Sequence, residues 1–246
     1  MESMKNRRTI RRYAPHDVDD SLIHELLIEA ERTQTMGNLQ LYSVVLTRDG
    51  EMKRRLAPLH FNQPMVTEAP VVLTFCADFH RTTRWCEERK ARPGYANFLS
   101  FMNAASDALL FCQSFCTLAE ERGLGLCYLG TTIYQPRGII EALHLPKLTM
   151  PVATITLGWP AEQPPQTERL PLSAILHREY YEEITPETIS RDYADKEARA
   201  ENQEFVRVNG KETLAQVFTD CRYTQRDNEV LSKTFLETLR AQGFLD

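Results

Sequence analysis

Between about Asn97 and Arg122 the residues Phe101, Ala105, Leu109, Cys112, Cys116 and Ala119 form an apolar stripe at helical spacing, and Gly123 supplies a C-terminal stop. Small and apolar side chains extend around much of the circumference, so this helix is expected at the centre of the molecule. A helix of that kind must be covered, and the rest of the chain supplies alternating helices and strands to cover it. Leu22, Ile23, Leu26, Leu27 and Ala30 recur at helical spacing from Asp19 to Thr33, with acidic residues crowding the first turn. Strands are predicted over Leu41–Thr47, Val71–Ala77, Gly125–Gly130 and Val152–Leu157, with helices near Glu51–Leu56 and over Pro136–His144.

From Pro160 to Pro171 prolines and polar residues describe an extended connection with Arg169 embedded in it. Beyond it the pattern predicts a helical stretch around Pro186–Gln203, a polar link at Asn209-Gly210, and a last amphipathic helix from about Arg226 to Gln242 closed by Gly243. The sum is an α+β domain: a core over residues 1–171 and a helical C-terminal extension over 172–246.

With 42% apolar and 26% charged residues the chain matches an ordinary globular protein, and a net charge of -5 argues against a general nucleic-acid binder. The N-terminus leads into arginines rather than an apolar segment, and runs such as Ala69 to Phe75 are too short to span a bilayer. A cytoplasmic protein with no membrane partner is expected. Six cysteines lie mostly in apolar segments without a CxxC pair, so reduced, largely buried thiols are expected. Cys112 and Cys116 share a helix face, but two thiols make a poor metal site, and core packing is the expected role. The six histidines are scattered; none is assigned a catalytic role, and no metal is expected.

Arg7, Arg8, Arg11 and Arg12 sit within six residues, with Thr9 between them. Guanidinium forks and a hydroxyl on one short segment suit a phosphate ester. A solvated basic N-terminus would explain the same residues. Further along stand Phe75-Cys76-Ala77-Asp78-Phe79, then Gly123-Leu124-Gly125-Leu126-Cys127-Tyr128-Leu129-Gly130-Thr131-Thr132, then Leu157-Gly158-Trp159-Pro160-Ala161-Glu162, then Arg169-Leu170-Pro171. Together with the arginines, their order and spacing resemble the nitroreductase family, nearest its NADPH-preferring FMN-dependent nitroreductases and flavin reductases, over about Arg7 to Pro171.

The resemblance implies a nitroreductase-like fold, a central, mostly antiparallel sheet flanked by helices, in a domain-intertwined homodimer with FMN at the interface. It implies that Arg7, Arg8 and Thr9 hold the FMN phosphate and ribityl chain and that Arg11 approaches the pyrimidine edge, where a cation favours the anionic reduced ring. Tyr128, Leu129, Gly130 and Thr131 would line one side of the isoalloxazine, Gln63 would bond its uracil-like edge, Thr35, Met36 and Gly37 would reach it from the partner protomer, and Arg169 would close over the phosphate. Three positions depart from the family pattern: Thr131 where a second glycine is common, Thr167 where a lysine is common, and Arg7 where histidine is frequent.

The implied activity is ping-pong two-electron transfer from NADPH or NADH to a nitroaromatic, a quinone or free flavin. Arg199 and Arg207 are candidates for the adenosine phosphate, with a solvated helix face as the other reading. No GxGxxG follows a predicted strand, so a Rossmann nicotinamide site is not indicated. The departures at Thr131 and Thr167 motivate an alternative, a flavin-storing or redox-sensing protein without rapid turnover.

Overall fold

The structure is a computed structural model and describes residues 2–245. Among these, strands β1 (Tyr42–Thr47), β2 (Val71–Asp78), β3 (Gly125–Leu129) and β4 (Thr149–Gly158) form one sheet in the order β1-β2-β4-β3, with every neighbouring pair antiparallel. The helices in chain order are α1 (Glu2–Asn6), α2 (Asp20–Ala30), α3 (Gly50–Leu56), α4 (Met65–Glu68), α5 (His80–Glu88), α6 (Phe98–Glu121), α7 (Pro136–Ala142), α8 (Pro186–Ala198), α9 (Ala200–Val208), α10 (Leu214–Val217) and α11 (Gln225–Gln242). The α+β class and the antiparallel sheet expected from the sequence are both present.

The central strands β2 and β4 are buried along their whole length, which accounts for their unbroken apolar and threonine-rich sequences. Helix α6 packs across the sheet. Its Phe111 stacks on Tyr42 of β1 at 4.2 Å, and Phe75 of β2 meets Phe111 and Phe115 at 5.9 and 6.1 Å. Each such ring, once buried, contributes about 1.5–3 kcal/mol. Asn97 caps the helix by accepting from Ser100 N at 2.9 Å.

The expected stripe on α6 needs one correction. Leu109 is not on the buried face; it is 42% exposed, because the buried positions run through Ala104, Ala108, Phe111, Phe115 and Ala119, and Leu109 lies one residue, about 100°, past Ala108. Leu110, Met102, Leu99 and Phe98 are exposed on the same helix.

The chain forms one compact unit up to Pro165 and again from Ser232, and a second over Gln166–Leu231. In the first, the later turns of α11 return to the core: Leu239 and Phe244 are fully buried, Phe244 lies 5.6 Å from Phe101, and Gln242 Nε2 donates to Pro146 O and Thr149 O. In the second, the single helical stretch predicted over Pro186–Gln203 is two helices. The backbone extends at Arg199 (φ -65°, ψ 135°), and Asn202 Nδ2 takes the Lys196 carbonyl left open by the break at 2.7 Å. Helices α1, α4, α5 and α10 are not predicted from the sequence, α5 because its charged sequence buries little beyond Thr82 and Cys86. All six cysteines are free thiols, and all but Cys221 are buried. No helix among the described residues is long and apolar enough to cross a membrane.

Candidate functional site

The arginine-rich segment is strapped along the edge strand β3 and the end of β4. Ile10 N donates to Leu126 O at 3.0 Å, Ala14 N to Trp159 O at 2.8 Å, and Ala161 N to Arg12 O at 3.0 Å. Close approach is possible because Gly125 has no side chain: a Cβ there would meet three Ile10 atoms at 2.7 to 2.8 Å. Tyr13 fastens the strap, its hydroxyl 2.6 Å from Thr156 Oγ1 and 2.9 Å from Ile10 O, and burial pushes its pKa upward so that the phenol stays neutral. Glu162 Oε1 accepts from both Arg11 N (2.6 Å) and Arg12 N (3.0 Å), fixing the backbone from which those guanidiniums leave.

Arg7 and Arg8 reach a cavity of about 410 Å³ whose other walls include Glu120, Gly123 and Glu162. Arg7 Nε lies 3.6 Å from Glu120 Oε1. Burial raises the pKa of Glu120, with Arg7 opposing the shift, and Glu120 Oε2 has no hydrogen-bond partner. Arg8 Nη1 donates to Asn6 O at 2.9 Å, whereas its buried Nε has no partner. A buried guanidinium N–H without an acceptor is costly, and an anionic oxygen would satisfy it. Burial also pushes the Cys127 thiol up in pKa, and the charges of Arg11 and Arg7 counter part of that push, which puts both guanidiniums beside β3.

At the other end of β3, Tyr128 is 44% exposed, Leu129 is buried, Gly130 is exposed and Thr131 is half-buried. Gly130 does not have a positive φ, and a Cβ added to it would meet nothing within 4 Å. Neither backbone conformation nor the protein's own packing calls for glycine at that point, although glycine costs about 0.5–1 kcal/mol relative to alanine in regular structure. The backbone at Gly130 is bare and open. Beside it, Thr132 Oγ1 donates to Leu129 O at 2.8 Å, and Thr131 Oγ1 lies 2.8 Å from His60 Nδ1. Gln63 Nε2 donates to His60 O at 3.1 Å. Gln63, Thr131 and Gly130 therefore belong to one cluster.

Thr35, Met36 and Gly37 lie elsewhere. Met36 N and Leu41 N donate to the buried carboxylate of Asp107 at 2.9 and 3.1 Å, so the segment is pinned near the middle of α6. Glu120, the partner of Arg7, is about 20 Å further along that helix at 1.5 Å per residue. Arg169, Arg199 and Arg207 all belong to the second unit. Arg169 Nη1 donates to Thr167 Oγ1 at 2.9 Å and to Glu168 O at 2.8 Å. Arg199 pairs with Glu201 at 3.0 Å and Arg207 with Glu204 at 2.5 Å. Sequence reasoning missed His60, Glu120 and Glu162, and in the sequence only the unexpected Thr131 hints that a partner is needed.

The fold is shared with known proteins. The nitroreductase family profile covers residues 4–159. The chain belongs to the nitroreductase family. As a nitroreductase it is similar over its whole length to a Bacteroides fragilis NCTC 9343 protein provisionally described as an oxidoreductase, with 58% identity, 100% of each chain covered and a TM-score of 0.99. It is 29% identical to FMN reductase [NAD(P)H] of Bacillus subtilis, over 99% of this chain and 97% of that one. It is also 29% identical to the oxygen-insensitive NADPH nitroreductase of Salmonella typhimurium, again over 99% and 97%.

Proposed function

We infer that this nitroreductase is an FMN-dependent NAD(P)H oxidoreductase that acts as a homodimer and reduces nitroaromatics, quinones or free flavin by ping-pong two-electron transfer. The observation that carries the reading is the pairing of features on one strand: an arginine-lined cavity with an unsatisfied guanidinium N–H at the start of β3, and bare glycine backbone at its end. The strand spans about 17 Å between them at 3.4 Å per residue. A phosphate ester joined to a flat ring suits such a site. When bound, FMN accepts a hydride from the nicotinamide and passes the electron pair to the second substrate.

The residues divide the work. Arg7, Arg8 and Thr9 hold the phosphate and ribityl chain, with Arg7 steadied by Glu120 at 3.6 Å. Arg7 also supplies charge that Thr167 does not. Arg11 supports negative charge on the pyrimidine edge, Gln63 offers an amide to the same edge, and Tyr128, Leu129, Gly130 and Thr131 form the face of the ring site. No side chain serves as nucleophile or general base.

A homodimer is supported by two features. Thr35–Gly37 is pinned at Asp107, about 20 Å along α6 from Glu120, which suits a contact made with a partner's site, and Leu99, Met102, Leu109 and Leu110 leave an exposed apolar ridge on α6. Burial of five reduced thiols agrees with action in the cytoplasm.

The test is the absorption spectrum of the purified protein before and after anaerobic NADPH, then NADH. Flavin bands that bleach support the reductase. Flavin that stays oxidised with both donors identifies a storage or sensing protein, and a colourless protein that cannot be loaded with FMN overturns the reading.

A further inference from the structure

The tie between His60 and Thr131 joins turns that lie 71 residues apart in sequence. His60 is fully buried, and its Nε2 has no hydrogen-bond partner. A neutral imidazole carries one N–H. On Nε2 that proton would be a buried donor with no acceptor. On Nδ1 it is donated to Thr131 Oγ1, and only a lone pair goes unmet, the less costly outcome. Burial keeps the ring in this neutral form by pulling its pKa down to about 4.

With Nδ1 as the donor, Thr131 Oγ1 is the acceptor. Its own hydroxyl proton then has no partner, since among the described residues Thr131 Oγ1 makes no other hydrogen bond. His60 is fully buried, whereas Thr131 is half-buried and its neighbour Gly130 exposed, so an acceptor for that proton has to come from the side of Thr131 away from the imidazole. Thr131 thus stands where a second glycine would leave no donor beyond the backbone.

We propose that Thr131 is a positioning residue for the flavin: fixed from behind by His60, its hydroxyl donates a hydrogen bond to the isoalloxazine edge lying against Gly130. The proposal rests on the FMN reading above. Such a bond strengthens as the ring gains electron density, so it holds the cofactor and raises its reduction potential.

The experiment compares wild type, Thr131→Val, Thr131→Ser and His60→Phe by FMN dissociation constant and by the midpoint potential of the bound flavin. Removing one neutral hydrogen bond predicts about tenfold weaker FMN binding and a lower potential in Thr131→Val. Thr131→Ser should restore both. His60→Phe should reproduce the valine variant, with the double variant no worse than either single one, because the two residues act as a unit. A Thr131→Val protein with wild-type affinity and potential overturns the proposal, as does a serine variant as impaired as valine. If His60→Phe fails to fold, the valine and serine variants decide alone. A wild-type protein that takes up no FMN overturns the functional reading and this one with it; wild type that binds FMN beside an indifferent Thr131→Val overturns only the positioning role.

Discussion

Replacing Gly130 with alanine separates the needs of the fold from those of the ligand. Gly130 opens a 3-10 turn without a positive φ, and its added Cβ points into open space. The folded protein therefore accepts alanine without strain, while the unfolded chain loses conformational freedom, a net gain of about 0.4–1 kcal/mol. In a chain of this size that raises Tm by about 1–4 °C. The same methyl stands where a flat ring must lie against backbone, so FMN affinity should fall by at least about tenfold, or about 1.4 kcal/mol. Gly125→Ala is the control with the opposite signature. Its Cβ would press on Ile10 at 2.7 Å, and overpacking of that kind costs about 1–3 kcal/mol. Thermal melts of FMN-stripped protein, with titration of FMN by fluorescence, measure both quantities. A Gly130→Ala variant that binds FMN like wild type, or that melts below it without ligand, refutes the argument that a ligand accounts for this glycine.

Two further predictions concern other parts of the molecule. His60 titrates near 6.5 when unfolded and about 4 when buried, so its contribution is fully present above pH 6.5 and is lost as pH falls towards 4; between pH 7.5 and 5 wild type should lose about 2 kcal/mol more stability than His60→Phe in urea melts, and equal losses would refute the assignment. On the exposed ridge of α6, the double substitution Leu109→Glu with Leu110→Glu should convert a dimer to a monomer in sedimentation velocity and weaken FMN binding together, whereas an intact dimer would place the interface elsewhere.

The strands and the central helix were legible because their patterns are strong: β2 and β4 are continuous apolar runs, and α6 has a cap, a stripe and a stop. Leu109 marks the limit of a helical stripe, since a step of one residue turns a side chain through about 100°. Helix α5 was not legible, because the face it buries is carried by only Thr82 and Cys86 in an otherwise largely polar and charged sequence. In the candidate site, the arginines and Gly130 were legible as residue types in order. Glu120, Glu162 and His60 were not, because each matters through a partner more than fifty residues away. The division of Pro186–Gln203 into two helices depends on a side chain, Asn202, accommodating a broken turn, and helical periodicity carries no record of it.

The return of α11 to the core has a consequence for the order in which the protein can be made. Phe101 meets Phe244, which is synthesised only after the whole of Gln166–Leu231. Bringing residues so far apart together costs about 4 kcal/mol of loop-closure entropy beyond a constant, recovered only when the final turns dock. The sheet and α6 must therefore wait through the synthesis of Gln166–Leu231 with part of their apolar surface uncovered. That interval, more than any weakness in the finished fold, is when a nascent chain of this kind depends on protection from aggregation.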